Sequence, residues 1–302
     1  MRVLVTGGLG FVGRAVALDL EAAGHRVAVL TRQGTGATPP GGTELVEGDV
    51  RDRARLAEIV AAGRYDAVAH LAALTRARDS LTDPLTYFDV NLGGTLNLLT
   101  ALTAGRLVLA SSSIVYGSRT GALREDLPIR PENPYGASKA AAEQLVGAVA
   151  ATGAISAVVL RCFNVAGAVD GYTDTDPTRI VPNVLRAARG ELPRVTVNGD
   201  GSAIREFTHV LDVAAAFRLA IEDERATGAY NVGTGRGVAV RDVIATAEQV
   251  TGRAIPVEHL PPRPEPHTLI SDPGRLTGEL GWRPTHSALS EILASAWAAG
   301  AR

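Results

Sequence analysis

The stretch that decides the fold lies at the start of the chain and reads Arg2-Val3-Leu4-Val5-Thr6-Gly7-Gly8-Leu9-Gly10-Phe11-Val12-Gly13. Its first half is an apolar run typical of a β-strand, an Ala- and Leu-rich helix follows to about Gly24, and a second strand covers residues 25–30. The glycines therefore lie where a strand turns into a helix. There they permit a tight turn, close approach of the backbone to a pyrophosphate, and close packing of helix on strand. The pattern predicts a dinucleotide site, rather than a purely structural turn, with cofactor contacts at Gly7, Gly10, Phe11, Val12 and Gly13.

The alternation of strands and helices continues along the first half of the chain. Further strands are predicted near residues 44–47, 67–71, 107–110 and 157–160, with helices between them. Repeated βα units indicate an α/β fold with a Rossmann-type, doubly wound parallel sheet, which we assign to residues 1–160 as the dinucleotide-binding domain. Beyond this point the rhythm gives way to a stretch rich in Gly, Pro and Asp. We therefore predict a smaller C-terminal α/β lobe for the substrate over residues 161–302.

Such a sheet binds its ligand at the carboxyl ends of the strands. The cofactor contacts predicted at these ends are Thr31, Arg32, Asp49, Val50, Leu71, Ala72 and Ala73. Asp49 could accept a hydrogen bond from the adenine amino group, or it is an ordinary turn or helix-cap acid. The second strand ends in Thr31-Arg32, where an acid that binds the adenosine ribose is usual. A basic residue there suits the 2′-phosphate of NADP, so the sequence leaves NADP open beside NAD.

Lys139 is the only lysine among the 30 basic residues, and it follows Tyr135 by four positions. The segment 135–149 is rich in Ala, Glu, Gln and Leu and predicts a helix, on which residues four apart share a face. An ammonium beside a phenol lowers the phenol pKa from about 10. The pair therefore predicts Tyr135 as a general base with Lys139 as its activator. The alternative is a surface lysine that happens to follow a tyrosine.

Composition narrows the class of protein. The chain has 302 residues, 46% hydrophobic and 21% charged, as in soluble globular proteins. A net charge of −2 gives no electrostatic reason to expect nucleic acid or an anionic membrane as a partner. The single cysteine, Cys162, excludes an internal disulfide, and the start of the chain shows no signal-peptide pattern, so we expect a cytoplasmic protein. The six histidines have no metal-ligand spacing, and no metal is expected.

The glycine pattern, the serine run before Val115-Tyr116-Gly117, and Tyr135 with Lys139 resemble the extended short-chain dehydrogenases/reductases of the NAD-dependent epimerase/dehydratase family. The likeness is greatest to UDP-glucose/UDP-galactose 4-epimerases and runs from Met1 to about Trp297. Further matching segments are Asp83-Pro84-Leu85, Asn91-Leu92-Gly93-Gly94-Thr95, Arg161-Cys162-Phe163-Asn164-Val165-Ala166-Gly167, Arg205-Glu206-Phe207-Thr208-His209-Val210, Tyr230-Asn231-Val232-Gly233 and Leu280-Gly281-Trp282-Arg283-Pro284.

The resemblance implies an enzyme that binds NAD and a UDP-sugar. Its catalytic residues would be Ser112, Tyr135 and Lys139, with Tyr135, Lys139 and Asn91 also touching the cofactor. The implied substrate contacts are Ser112, Ser113, Tyr135, Asn164, Arg179, Arg205 and Arg263. In this scheme Arg205 and Arg263 grip the diphosphate, and Arg179 meets a uronate carboxylate or is a surface charge. The resemblance also implies a homodimer that pairs helices at about 84–104 and 134–150.

Two features bear on the reaction. Ser113 and Ile114 stand where nucleotide-sugar dehydratases carry an acid and a base, and Ile114 cannot move a proton, which argues against elimination and against decarboxylation. We therefore predict inversion at C4 of a UDP-hexose or UDP-hexuronate through a 4-keto sugar. Thr31 and Thr75 replace an acid and a lysine of the epimerases, which leaves an NADPH-dependent 4-ketoreductase as the alternative. A third alternative is a catalytically silent NAD(P)-sensing protein, against which the intact catalytic residues argue.

Overall fold

The computed structural model describes residues 1–32, 38–262 and 267–300. The strands in this part are β1 (Arg2–Thr6), β2 (Arg26–Thr31), β3 (Glu44–Glu47), β4 (Ala67–His70), β5 (Arg106–Ser112), β6 (Ala122–Leu123), β7 (Ser156–Cys162), β8 (Val165–Ala166), β9 (Ala168–Val169), β10 (Tyr172–Thr173), β11 (Val195–Asn198), β12 (Ile204–Glu206), β13 (Thr208–His209), β14 (Gly228–Val232), β15 (Gly237–Ala239), β16 (Val257–Leu260) and β17 (Thr268–Ser271). The helices are α1 (Phe11–Ala22), α2 (Arg53–Gly63), α3 (Ala77–Ser80), α4 (Pro84–Phe88), α5 (Gly94–Ala101), α6 (Pro134–Ala150), α7 (Ile180–Ala188), α8 (Val210–Glu222), α9 (Val240–Thr251), α10 (Gly274–Glu279) and α11 (Leu289–Ala299). A π-helical turn, Asp89–Gly93, joins α4 to α5, and a 3₁₀ turn, Ser113–Tyr116, follows β5.

Seven of these strands form one parallel sheet in the order β14-β7-β5-β4-β1-β2-β3. From β1 the chain moves outward to β2 and β3, then crosses back to place β4 on the other side of β1. The strand order thus reverses between β1 and β4, which is where doubly wound sheets bind their ligands. The structure confirms the α/β fold class and the parallel sheet.

The apolar run of β1 is buried on both faces of the sheet. Val3 and Val5 pack into the core that α1 and α8 cover, whereas Leu4 points into the core on the other face, with residues of α2, α5 and α6. All three side chains are fully buried. A central parallel strand needs apolar residues at successive positions because helices cover both of its faces.

The C-terminal lobe has a core of its own. Its buried side chains come mainly from α7, α9 and α11, for example Val184, Val243 and Ile292. The chain beyond residue 161 also returns to the large sheet, because β14 pairs with β7 and α8 packs on α1. The domain boundary at residue 160 stays a prediction. The large sheet nevertheless includes β14, which lies beyond that boundary.

No helix within the described ranges is long and apolar enough to cross a membrane. Over the same residues, no group of three or more His, Cys, Asp or Glu side chains could hold a metal ion.

Candidate active site

The glycine turn after β1 leaves no room for side chains. Gly7 has φ +71°, in the left-handed region that glycine tolerates, and a Cβ on it would lie 2.7 Å from the backbone nitrogen of Ala72. A Cβ on Gly13 would lie 2.1 Å from the Gly7 carbonyl oxygen. Gly10 donates its amide to the same Gly7 oxygen at 3.0 Å and precedes α1 without a side-chain cap. The N–H groups of the first turn of α1 are therefore available to a phosphate, and the cradle fits the pyrophosphate of a dinucleotide.

A cavity of about 840 Å³ lies at the carboxyl ends of the sheet strands, in front of this turn. It brings together most of the predicted site residues: Gly7, Gly10, Phe11, Val12, Gly13, Thr31, Arg32, Asp49, Val50, Leu71, Ala72, Ala73, Ser112, Ser113, Tyr135, Lys139, Asn164 and Arg179. The roles of the individual side chains stay predictions; the structure gives their positions.

Helix α6 carries Tyr135 and Lys139 into the cavity wall. Asn133 caps the helix by accepting the Gly136 amide at 2.9 Å, and Pro134 occupies the first turn. Tyr135 is 8% exposed and Lys139 is 4% exposed, which contradicts a surface lysine. Ser112, at the end of β5, hydrogen-bonds the Tyr135 phenol, and the Lys139 ammonium donates to the Ala110 carbonyl at 2.8 Å.

The pKa of Tyr135 corrects one prediction. Burial raises it above the ordinary value of a tyrosine, against the hydrogen bond from Ser112 and the positive charge of Arg179. The prediction that Lys139 lowers the Tyr135 pKa below its ordinary value is wrong. Burial raises this pKa by more than the nearby donors lower it, and the positive charge that lowers it comes from Arg179. Lys139 itself has its pKa lowered to about 8, chiefly by burial. Helical spacing predicts that Lys139 lies near Tyr135. The loss of hydration that shifts a pKa depends instead on the whole fold.

A buried ion pair behind the predicted catalytic residues was not predicted from the sequence. Arg161 on β7 pairs with Glu143 on α6 through contacts of 2.8–3.2 Å, and both side chains are about 95% buried. Ser111 donates its hydroxyl to the same carboxylate. The negative charge of Glu143 opposes the lowering of the Lys139 pKa by burial. The one available signal was the spacing: Glu143 follows Lys139 by four residues and shares its helical face.

Asn91 lies behind the cavity wall, in the π-helical turn. Its amide donates to the Leu74 carbonyl at 3.0 Å and to the Ser138 hydroxyl at 2.9 Å, and its oxygen accepts the Leu74 amide at 2.8 Å. Ser138 in turn donates to the Tyr135 carbonyl. Asn91 thus ties the loop after β4 to α6, and its direct contact with a cofactor stays a prediction. Such π-turns are frequent at functional sites.

Only some of the predicted substrate residues line the cavity. Asn164 lines the cavity and donates to the Glu206 carbonyl at 2.8 Å. Arg179 lines it too and pairs with Asp174 at 2.9 Å. Arg205 is not among the residues that line the cavity; its guanidinium donates to backbone carbonyls, including that of Ile204 at 2.8 Å. Arg263 lies outside the described residues.

Comparison with known proteins adds the family. Residues 3–233 match the NAD dependent epimerase/dehydratase family. The chain belongs to that family. It is 36% identical to a UDP-glucose 4-epimerase of Corynebacterium glutamicum, over 99% of this chain and 95% of that protein. It is 37% identical to a UDP-glucose 4-epimerase of Streptomyces lividans, over 98% of this chain and 95% of that protein.

A solved structure of the same kind has nearly the same fold. The crystal structure of UDP-glucose-4-epimerase from Stenotrophomonas maltophila, with bound NAD and formylated UDP-arabinopyranose, matches with a TM-score of 0.93 at 32% identity and covers 99% of this chain and 97% of that one. These findings confirm the predicted family and an NAD-dependent nucleotide-sugar epimerase. They do not favour the NADPH-dependent reductase or a silent sensing protein.

Proposed function

We propose that this epimerase inverts C4 of a UDP-hexose or a UDP-hexuronate through a transient 4-keto sugar. The observation that carries the proposal is the arrangement of Tyr135, Ser112 and Lys139 in one wall of the cavity that opens in front of the glycine turn. The UDP-glucose 4-epimerases of the same family support it through their similarity over almost the whole chain.

The residues present fit a bound dinucleotide. The uncapped start of α1 and the side-chain-free glycines would hold the pyrophosphate, and Lys139 would hold the nicotinamide ribose. When bound, NAD supplies a hydride acceptor that can later return the hydride to the same carbon.

Tyr135 would perform the proton transfer. Its phenolate takes the proton of the sugar 4-hydroxyl while Ser112 donates a hydrogen bond to that oxygen, and C4 loses its hydride to become a carbonyl carbon. After the 4-keto sugar turns in the cavity, C4 regains the hydride on its other face and Tyr135 returns the proton to the oxygen. Protons and electrons therefore balance over the cycle, and only the configuration of C4 changes.

Charged side chains near Tyr135 support binding of the sugar nucleotide in that part of the cavity. Arg179 acts electrostatically on Tyr135 and is held by Asp174 and Asp176, and Asp176 also approaches Arg76 at 3.6 Å. Asn164 lies in the same cavity. A uronate carboxylate would have to compete with these aspartates for Arg179, and a neutral hexose would leave the ion pairs intact, so both substrate classes enter the test.

The reaction is tested with UDP-glucose and UDP-glucuronate deuterated at C4, without added reductant. We expect conversion to the C4 epimer with the label retained, because the hydride is borrowed and returned. The measurement is NMR of the product. Loss of the label to solvent would contradict the mechanism. Failure to invert either substrate, combined with NADPH-driven reduction of a 4-keto sugar nucleotide, would establish the reductase instead.

We infer that the protein is a homodimer in which the helices around residues 84–104 and 134–150, here α4, α5 and α6, pair with those of the second copy. Three large apolar side chains are exposed on or beside these helices: Leu81 at 65%, Leu85 at 81% and Leu96 at 48%. Large apolar side chains left this exposed favour contact with a second copy. Sedimentation at micromolar concentration is expected to show a dimer, and Leu85→Glu a monomer. A monomeric unmodified protein would exclude the proposal.

A cytoplasmic location is the remaining inference. It is supported by the single cysteine, Cys162, which cannot form an internal disulfide and so fits a reducing compartment. Recovery of the protein in a secreted fraction of its source cells would contradict it.

A further inference from the structure

The adenosine end of the cavity has unusual charges. Strand β2 ends at the buried Thr31, and the exposed Arg32 follows it; both line the cavity. Asp49 and Arg51, which follow the neighbouring strand β3, line the same end. We propose that this end accepts a 2′-phosphate, so that the protein binds NADP in addition to NAD.

The end of β2 carries no charge that would repel a phosphate. In dinucleotide-binding units an acid at this place hydrogen-bonds the ribose 2′-hydroxyl of NAD, and its negative charge disfavours a phosphate on the same oxygen. Thr31 is neutral, so it places no negative charge beside a 2′-phosphate. Arginine next to this position is the residue type that accommodates the 2′-phosphate of NADP.

The carboxylate that does lie at this end is already neutralised. Asp49 receives two side-chain hydrogen bonds from Arg51, at 3.2 and 2.9 Å, and a third from the Arg51 amide at 2.9 Å. Of the described acidic residues that line the cavity, the other two, Asp174 and Asp176, pair with Arg179 near Tyr135. The adenosine end of the described cavity therefore has no unbalanced negative charge.

Arg32 supplies the positive charge. The pKa of Asp49 is lowered mainly by its hydrogen bond from Arg51 and in part by the charge of Arg32, so both guanidinium groups act on one small region. A guanidinium can bind two phosphate oxygens at once, which suits a doubly charged 2′-phosphate. With Arg51 committed to Asp49, Arg32 is the residue we assign to the phosphate.

This inference rests on the dinucleotide site of the proposed function but not on the sugar reaction. Binding is therefore measured without turnover, by calorimetry of NAD⁺ and NADP⁺ with protein that has been freed of bound dinucleotide. If the protein proves unable to invert a sugar, this measurement still stands.

We expect the unmodified protein to bind NADP⁺ within about tenfold of its affinity for NAD⁺, since one or two charged hydrogen bonds offset the cost of desolvating the phosphate. Arg32→Ala is expected to weaken NADP⁺ by about tenfold or more and NAD⁺ by less than about twofold. Thr31→Asp is expected to weaken NADP⁺ by about 100-fold and thereby to make the protein selective for NAD⁺. Arg53→Ala, an exposed arginine at the start of α2 outside the cavity, is the matched control and should change neither affinity.

Two results would overturn the inference. One is the absence of NADP⁺ binding to an unmodified protein that binds NAD⁺. The other is an equal loss of both dinucleotides in Arg32→Ala, which would assign Arg32 to a contact that the two cofactors share.

Discussion

Tyr135→Phe is expected to lower kcat by about 10²–10⁴-fold, the usual contribution of a general base, because phenylalanine cannot accept the proton of the sugar 4-hydroxyl. The matched control is Tyr87→Phe, since Tyr87 is also buried and its ring lies 6.2 Å from that of Tyr135. The Tyr87 hydroxyl donates to the Arg76 carbonyl and does not line the described cavity. We expect the control to keep most of its turnover in a steady-state assay with UDP-galactose.

The pH profile separates a base from a merely structural tyrosine. Burial raises the pKa of Tyr135, so the reactive phenolate becomes more populated as pH rises and kcat of the unmodified enzyme climbs with it. This rising limb disappears in Tyr135→Phe, whereas dinucleotide affinity changes little. A folded Tyr135→Phe variant that keeps a tenth of its turnover, or the same rising limb, would exclude Tyr135 as the base.

Gly13→Ala is expected to abolish dinucleotide binding and to destabilise the fold by about 1–3 kcal/mol, as overpacking of a tight site does. The added methyl group would lie 2.1 Å from the Gly7 carbonyl oxygen, which is backbone and cannot rotate away. The turn would have to open, and the N–H groups that face the pyrophosphate would lose their alignment. The measurements are thermal unfolding and calorimetric titration with NAD⁺.

The control for this variant is Gly278→Ala in α10, where an added Cβ meets nothing within 4 Å. Alanine is the better helix former, so this variant should be as stable as the parent or slightly more so. Retention of NAD⁺ affinity in Gly13→Ala would show that the turn tolerates expansion, and the assignment of the pyrophosphate site would then fail.

The sequence predicted the fold, and it predicted that the proposed catalytic residues lie together, because these signals are local. The apolar run of β1, the glycines after it and the helical composition around Lys139 depend on neighbours within a few positions, and each element formed where it was predicted. The helix predicted over residues 84–104 is instead α4, a π-helical turn and α5, ending at Ala101.

Properties that depend on distant parts of the chain were missed. The Glu143–Arg161 pair joins residues 18 positions apart on different elements, and the pKa of Tyr135 follows from burial by the assembled fold. The sequence marks Arg205 as a cation but does not show that its guanidinium would donate to nearby carbonyls. Which side chains pair, and how deeply each is buried, depend on the tertiary structure. Composition and residue spacing therefore do not reveal them.

The pairing of β14 with β7 has a consequence for synthesis on the ribosome. Strand β7 ends at Cys162, but its outer partner is complete only at Val232. At 5–20 residues per second the intervening stretch of about 70 residues takes roughly 4–14 s to make. During that interval the outer edge of β7 presents unpaired N–H and C=O groups and uncovered apolar side chains, a template for pairing with another nascent chain. The growing polypeptide is therefore exposed to such mispairing while residues 163–232 are being translated, before β14 is complete.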